Sequence, residues 1–119
     1  MEDLRASDVD LKADPPILRD ALFHCQQAVE KVLKGFLSAH DRPFRKTHEL
    51  DVLAQDCESI DSSLRPTLVP ARDLTFYAWA FRYPGASDPP GLGEARDALV
   101  LARDVCAAVM GRLPDEVKP

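Results

Sequence analysis

Phe23-His24-Cys25-Gln26-Gln27-Ala28-Val29-Glu30-Lys31-Val32-Leu33-Lys34-Gly35-Phe36-Leu37 is the stretch that decides the fold of this chain. Its apolar residues are Cys25, Ala28, Val29, Val32, Leu33, Phe36 and Leu37, continued upstream by Leu18, Ala21 and Leu22. That is the i, i+3, i+4, i+7 spacing of one buried helical stripe, and it predicts a helix over 18–37. Pro15 and Pro16 suit its first turn. Working outward, the period stays helical. Residues 1–11 predict a shorter helix whose stripe (Leu4, Val9, Leu11) is thin, as for a first helix that is longer in the natural domain. Residues 39–46 form a basic loop around Pro43, and Thr47 reads as the N-cap of a helix carrying Leu50, Val52, Leu53 and Cys57. Asp61-Ser62-Ser63 opens a helix through Leu68, Leu74, Tyr77, Ala78 and Phe81, with Pro66 in its first turn and Pro70 as a kink. Residues 83–93 are rich in Pro and Gly and read as a loop. Over 94–112 a last stripe runs through Ala95, Ala98, Leu99, Ala102, Val105, Cys106 and Val109, and on to Leu113. With no β alternation and no internal repeat, the expected fold is all-α: an up-and-down bundle of four to five helices in a single domain over 1–119.

Composition narrows the function classes. An apolar fraction of 45% and a charged fraction of 29% are those of a globular chain, not a disordered one. The formal charge of −5 argues against a general duplex binder, because such binding rests on neutralising phosphates. Only a local basic patch, such as that around Arg42, would serve. Cys25, Cys57 and Cys106 are odd in number and lie in apolar-periodic segments, so they read as small buried hydrophobes in a reducing compartment. No apolar run reaches the roughly 20 residues of a membrane span, and no signal-peptide core is visible. A cytoplasmic protein is expected.

Three constellations carry possible chemistry. On α-helical spacing Asp20, His24, Gln27, Lys31, Lys34 and Ser38 fall in one column bordering the apolar stripe, where polar groups at a groove or self-interface are half desolvated. An ordinary solvated face with a Glu30–Lys34 pair would present the same residues. In Arg42-Pro43-Phe44-Arg45-Lys46-Thr47-His48, three cations precede a helix N-terminus, an arrangement that suits a phosphate or nucleotide. A solvated loop with His48 in the first helical turn is the plain alternative. In Tyr77-Ala78-Trp79-Ala80-Phe81-Arg82-Tyr83-Pro84-Gly85, Tyr77 and Phe81 have core spacing, Trp79 points elsewhere, and Arg82 suits a carboxylate or a ligand. No metal set or cofactor is expected: His24 and Cys25 are adjacent and so on different faces. No glycine-rich phosphate loop or nucleophile elbow appears.

Taken in order, His24 to Lys34, Thr47-His48-Glu49-Leu50 and Arg82-Tyr83-Pro84-Gly85 resemble the motifs of the HEPN domain family over about residues 15–113. The resemblance implies an up-and-down helical bundle that tends to dimerise, in a bacterial or archaeal setting, often with a minimal nucleotidyltransferase as partner or antitoxin. Many HEPN proteins are metal-independent RNases that use an arginine, four to six residues, then a histidine, toward the C-terminal part of the domain. Here no histidine follows His48. Two matches lie elsewhere, Arg19 to His24 and Arg42 to His48, against about 0.75 expected by chance from ten arginines and three histidines. The expected function is therefore a homodimeric module in a toxin–antitoxin type system. It would bind a nucleotide or a nucleotidyltransferase along a groove of His24, Gln27, Lys31, Lys34, His48 and Arg82. The alternative is an RNase toxin with His48 or His24 as base and Arg42 or Arg45 facing the phosphate.

Overall fold

The computed structural model describes residues 2–44, 46–78 and 90–113. Among them are five α-helices and no strand: α1 (Glu2–Lys12), α2 (Leu18–Ala39), α3 (Leu50–Ile60), α4 (Arg65–Ala71) and α5 (Leu92–Met110). Two 3₁₀ segments, Ser62–Leu64 and Arg72–Ala78, flank α4. The all-α bundle expected from periodicity is the one observed.

Helix α2 runs through the middle, packing most extensively on α5 and α1 and also on α3 and the second 3₁₀ segment. Its predicted stripe is buried from Ala21 to Leu37, with Leu22, Cys25, Ala28, Val29, Leu33 and Leu37 fully enclosed. Each large aliphatic or aromatic side chain there contributes about 1.5–3 kcal/mol of burial. The predicted stripe of α5 is buried likewise from Ala95 to Val109. All three cysteines are buried and free. Burial pushes the Cys57 thiol up to about 12 and that of Cys106 up to about 11, so neither is a ready nucleophile.

Several boundaries differ from the sequence expectation, each for a local reason. Pro15 and Pro16 precede the α2 N-cap, Ile17, instead of sitting in the first turn. The Ile17 amide donates to the Asp10 carbonyl at 2.9 Å, which closes the turn from α1. At the other end α2 finishes in a Schellman motif, Arg42 N–H donating to Leu37 O at 2.9 Å and Asp41 N–H to Ser38 O at 3.1 Å. Asp41 takes the left-handed position (φ 54°), which an aspartate tolerates better than most side chains. Thr47 does not cap α3: it accepts from the Glu49 amide, while the Leu50 amide donates to Thr75 Oγ1 at 2.7 Å. His48 therefore lies just before α3, not in its first turn. Asp61 accepts from Ser63 N–H, and Pro66 lies in the first turn of α4, both as expected. Beyond Pro70 the chain passes into 3₁₀ geometry at Arg72, since proline denies the ladder a donor. Helix α5 starts at Leu92, two residues earlier than its stripe suggests. Tyr77 is half buried against the core, its hydroxyl donating to Glu94 at 2.6 Å. Trp79, Phe81, Arg82 and the Tyr-Pro-Gly that follows lie outside the described residues. Among those described, no helix is long and apolar enough to cross a membrane.

Candidate functional site

The polar column of α2 is organised by two carboxylates, one of them within α2 itself. Glu30 is buried, 5% exposed, in a position the apolar stripe would otherwise fill. It gathers three donors. Gln26 Nε2 donates to Oε1 at 2.9 Å, His48 Nδ1 approaches the same oxygen at 2.8 Å, and Lys34 Nζ donates to Oε2 at 3.1 Å. Burial opposes ionisation of Glu30, but the bonds from Gln26, His48 and Lys34 outweigh it and hold the carboxyl below its usual range. An ionised carboxylate only accepts, so Nδ1 of His48 carries a proton in this contact. Gln26, itself fully buried, passes the order along: its Oε1 accepts from Gln27 Nε2 at 2.8 Å, and its Nε2 also reaches the His48 carbonyl at 3.4 Å.

The second organiser is Asp3, on α1. It accepts from Lys31 Nζ at 2.7 Å and lies 2.8 Å from His24 Nδ1. Burial again works against the charge, and the bonds from Lys31 and His24 prevail, so the Asp3 carboxyl lies below its ordinary range. The same pairing raises the Lys31 ammonium. On its other side His24 Nε2 is 3.3 Å from Asp20 Oδ2. Asp10, from the last turns of α1, completes this corner. Its carboxyl is raised to about 6, by burial first and by the neighbouring Asp20 second.

The structure thus brings His24 and Lys31 onto Asp3, and Lys34 and His48 onto Glu30, with Gln27 tied in through Gln26. Arg42 and Lys46 are exposed on the loop after α2, and Phe44 is 44% exposed with its ring centroid 5.6 Å from Lys34 Nζ. Arg45 and Arg82 lie outside the described residues. The amide at the start of α3 is already taken by Thr75, which weakens the reading of that helix N-terminus as an anion site. A cavity of about 370 Å³, lined by Gln55, Glu58, Ser59, Ser62, Arg65 and Arg72, lies off α3, and none of the residues of the polar column or the basic loop lines it.

Sequence reasoning missed Asp3, Gln26 and Asp10, and read Glu30 only as a helix pair for Lys34. A signal for two of them was present. Gln26 and Glu30 interrupt the apolar stripe at i and i+4, and two polar residues on a buried face require each other or a third partner.

With this geometry in place, comparison with known proteins adds one finding. The family model for the HEPN domain matches residues 1–113. No curated protein and no solved structure matches the chain.

Proposed function

From the premise that this chain belongs to the HEPN domain family, we propose that it is a binding module whose α2 edge takes a nucleotide. The observation that carries this reading is the pairing of Phe44 with Lys34: an exposed ring beside an ammonium that Glu30 holds in place, with His48 on the same carboxylate. A base stacks on an exposed aromatic face, and phosphate oxygens accept from ammonium and guanidinium donors. Lys34 spends one of its three N–H donors on Glu30 and keeps others for a ligand. Arg42 and Lys46 add unburied positive charge within the same loop. A homodimer, a minimal nucleotidyltransferase as the bearer of the nucleotide, a toxin–antitoxin setting and a cytoplasmic location belong to the same proposal.

Titrating a fluorescent GTP or ATP analogue into the purified chain tests it. Saturable binding is expected, weakened at least tenfold in a Lys34→Ala, Phe44→Ala double variant whose circular dichroism stays helical. No binding by folded wild type, or undiminished binding by the variant, overturns the reading.

One observation favours a second reading. A carboxylate that holds Nδ1–H of a histidine, as Glu30 holds that of His48, is the arrangement that fixes the ring of a general base. In an RNase, His48 would take the proton of a ribose 2′-hydroxyl, whose oxygen attacks phosphorus to form a 2′,3′-cyclic phosphate as the 5′-oxygen leaves with a proton from water, with Arg42 facing the developing charge. Metal-free cleavage of structured RNA that is lost in His48→Ala would establish this reading over the first.

A further inference from the structure

At the corner where α1 meets α2, donor atoms of Asp10, Asp20 and His24 lie within 4.8 Å of one another. Asp10 is more than nine-tenths buried, and its Oδ2 has no hydrogen-bond partner among the described residues. An enclosed carboxylate oxygen without a donor is costly, and here its neighbours are another carboxylate and an imidazole nitrogen, both acceptors when unprotonated. With one donor atom from each of the three side chains within 4.8 Å of the other two, a positive centre among them would answer all three.

We propose that Asp10, Asp20 and His24 form a binding site for a divalent transition-metal ion, with Zn²⁺ the favoured occupant. Three features of the geometry support it. First, His24 Nε2 and Asp20 Oδ2 are 3.3 Å apart. Two ligands each about 2.1 Å from a tetrahedral centre are about 3.4 Å apart, so this pair already has the spacing of adjacent ligands. Second, His24 is oriented from behind. Its Nδ1 faces Asp3 at 2.8 Å, and Asp3 is fixed in turn by Lys31 at 2.7 Å. A carboxylate on the far nitrogen of a ligating histidine sets the tautomer that presents the other nitrogen to a metal. Third, Asp10 is a buried carboxylate with an oxygen, Oδ2, that has no partner among the described residues.

The donor set selects the class of ion. One imidazole with two carboxylates suits zinc and its first-row neighbours, whereas Mg²⁺ demands near-octahedral oxygen ligation and retains its waters. Three protein ligands leave a further position for water or an anion, and Asp20, 52% exposed, places that position at the surface. The ion would also bridge Asp10 on α1 to the first two turns of α2, fastening the first helix to the central one. This site does not depend on the nucleotide reading, since Lys34, Phe44 and His48 take no part in it.

The test uses the full chain, treated with chelator and dialysed, then titrated with ZnCl₂ or MgCl₂ and followed by calorimetry and thermal unfolding. One zinc per chain is expected, with Tm raised by roughly 10 °C at a free concentration one hundred times Kd and no comparable shift with magnesium. Asp10→Asn and Asp20→Asn should each weaken zinc binding at least tenfold, while His48→Ala leaves it unchanged. Asp20 is a surface residue, so its variant reports even if Asp10→Asn does not fold. No zinc-dependent shift in wild type, or full binding by Asp20→Asn, overturns the proposal and leaves protons to relieve the cluster.

Discussion

Glu30 is the residue on which the polar edge depends. Removing it by Glu30→Ala leaves Gln26 fully buried with its amide short of an acceptor, while Lys34 and His48 can turn toward water. The expected loss is about 2–3 kcal/mol, read as a lower denaturant midpoint at unchanged slope. The pH dependence has a definite sign. Because the native carboxyl is held below its ordinary value of 4.5, its contribution is fully present above that pH and fades as the pH falls through the native value. Glu30→Gln should therefore lose stability at pH 7 yet show a flatter acid limb than wild type. Parallel acid limbs in urea titrations at pH 7, 4 and 3 would show that folding does not lower the Glu30 carboxyl. The sequence placed Glu30 beside Lys34, and that pair is present. It did not place His48 on the same oxygen, because a contact across 18 positions is set by how the loop after α2 folds back.

At the scale of elements, the helices were legible and their fastenings were not. The buried stripes of α2 and α5 are dense in apolar residues, so period alone located them. The thin stripe of α1 has a physical cause: the face it buries is polar, Asp3, Ser7 and Asp10. Ser7 Oγ donates to the Ala21 carbonyl at 3.0 Å and touches Cys25 Sγ at 3.3 Å, so hydrogen bonds join this helix to α2 where Val9, 60% exposed, does not. The start of α3 shows the same limit. Local chemistry favoured Thr47 as its cap, yet the hydroxyl that receives the Leu50 amide comes from Thr75, 25 positions away. Two threonine variants separate these roles. Thr75→Val should cost about 0.5–2 kcal/mol, the usual range for losing a cap hydroxyl, whereas Thr47→Val should cost less because it severs only a surface bond to Glu49. Equal losses in thermal unfolding of the two variants would contradict that assignment.

For the whole molecule the governing quantity is charge. The chain carries −5 overall, so an RNA or nucleotide that binds must find its cations locally and is repelled elsewhere. Lys34, Arg42 and Lys46 lie on the α2 edge and the loop after it, whereas Asp8, Asp51, Asp56, Glu58, Asp97 and Asp104 are spread over α1, α3 and α5. That distribution fixes how affinity responds to salt. Three phosphate contacts to a single strand release few counterions, giving a slope of log K against log salt near −2, from about −0.7 per phosphate. Removing one of the three cations by Arg42→Ala or Lys46→Ala should shallow the slope by about 0.7 while leaving the fold intact, since both side chains are exposed. A measured slope steeper than about −4 would require more cations than this edge holds, and would move the binding surface elsewhere on the chain or onto an assembly of two copies. A slope near zero, with binding intact, would mean that the ligand is held by stacking on Phe44 and by neutral hydrogen bonds, with the phosphates left in solvent.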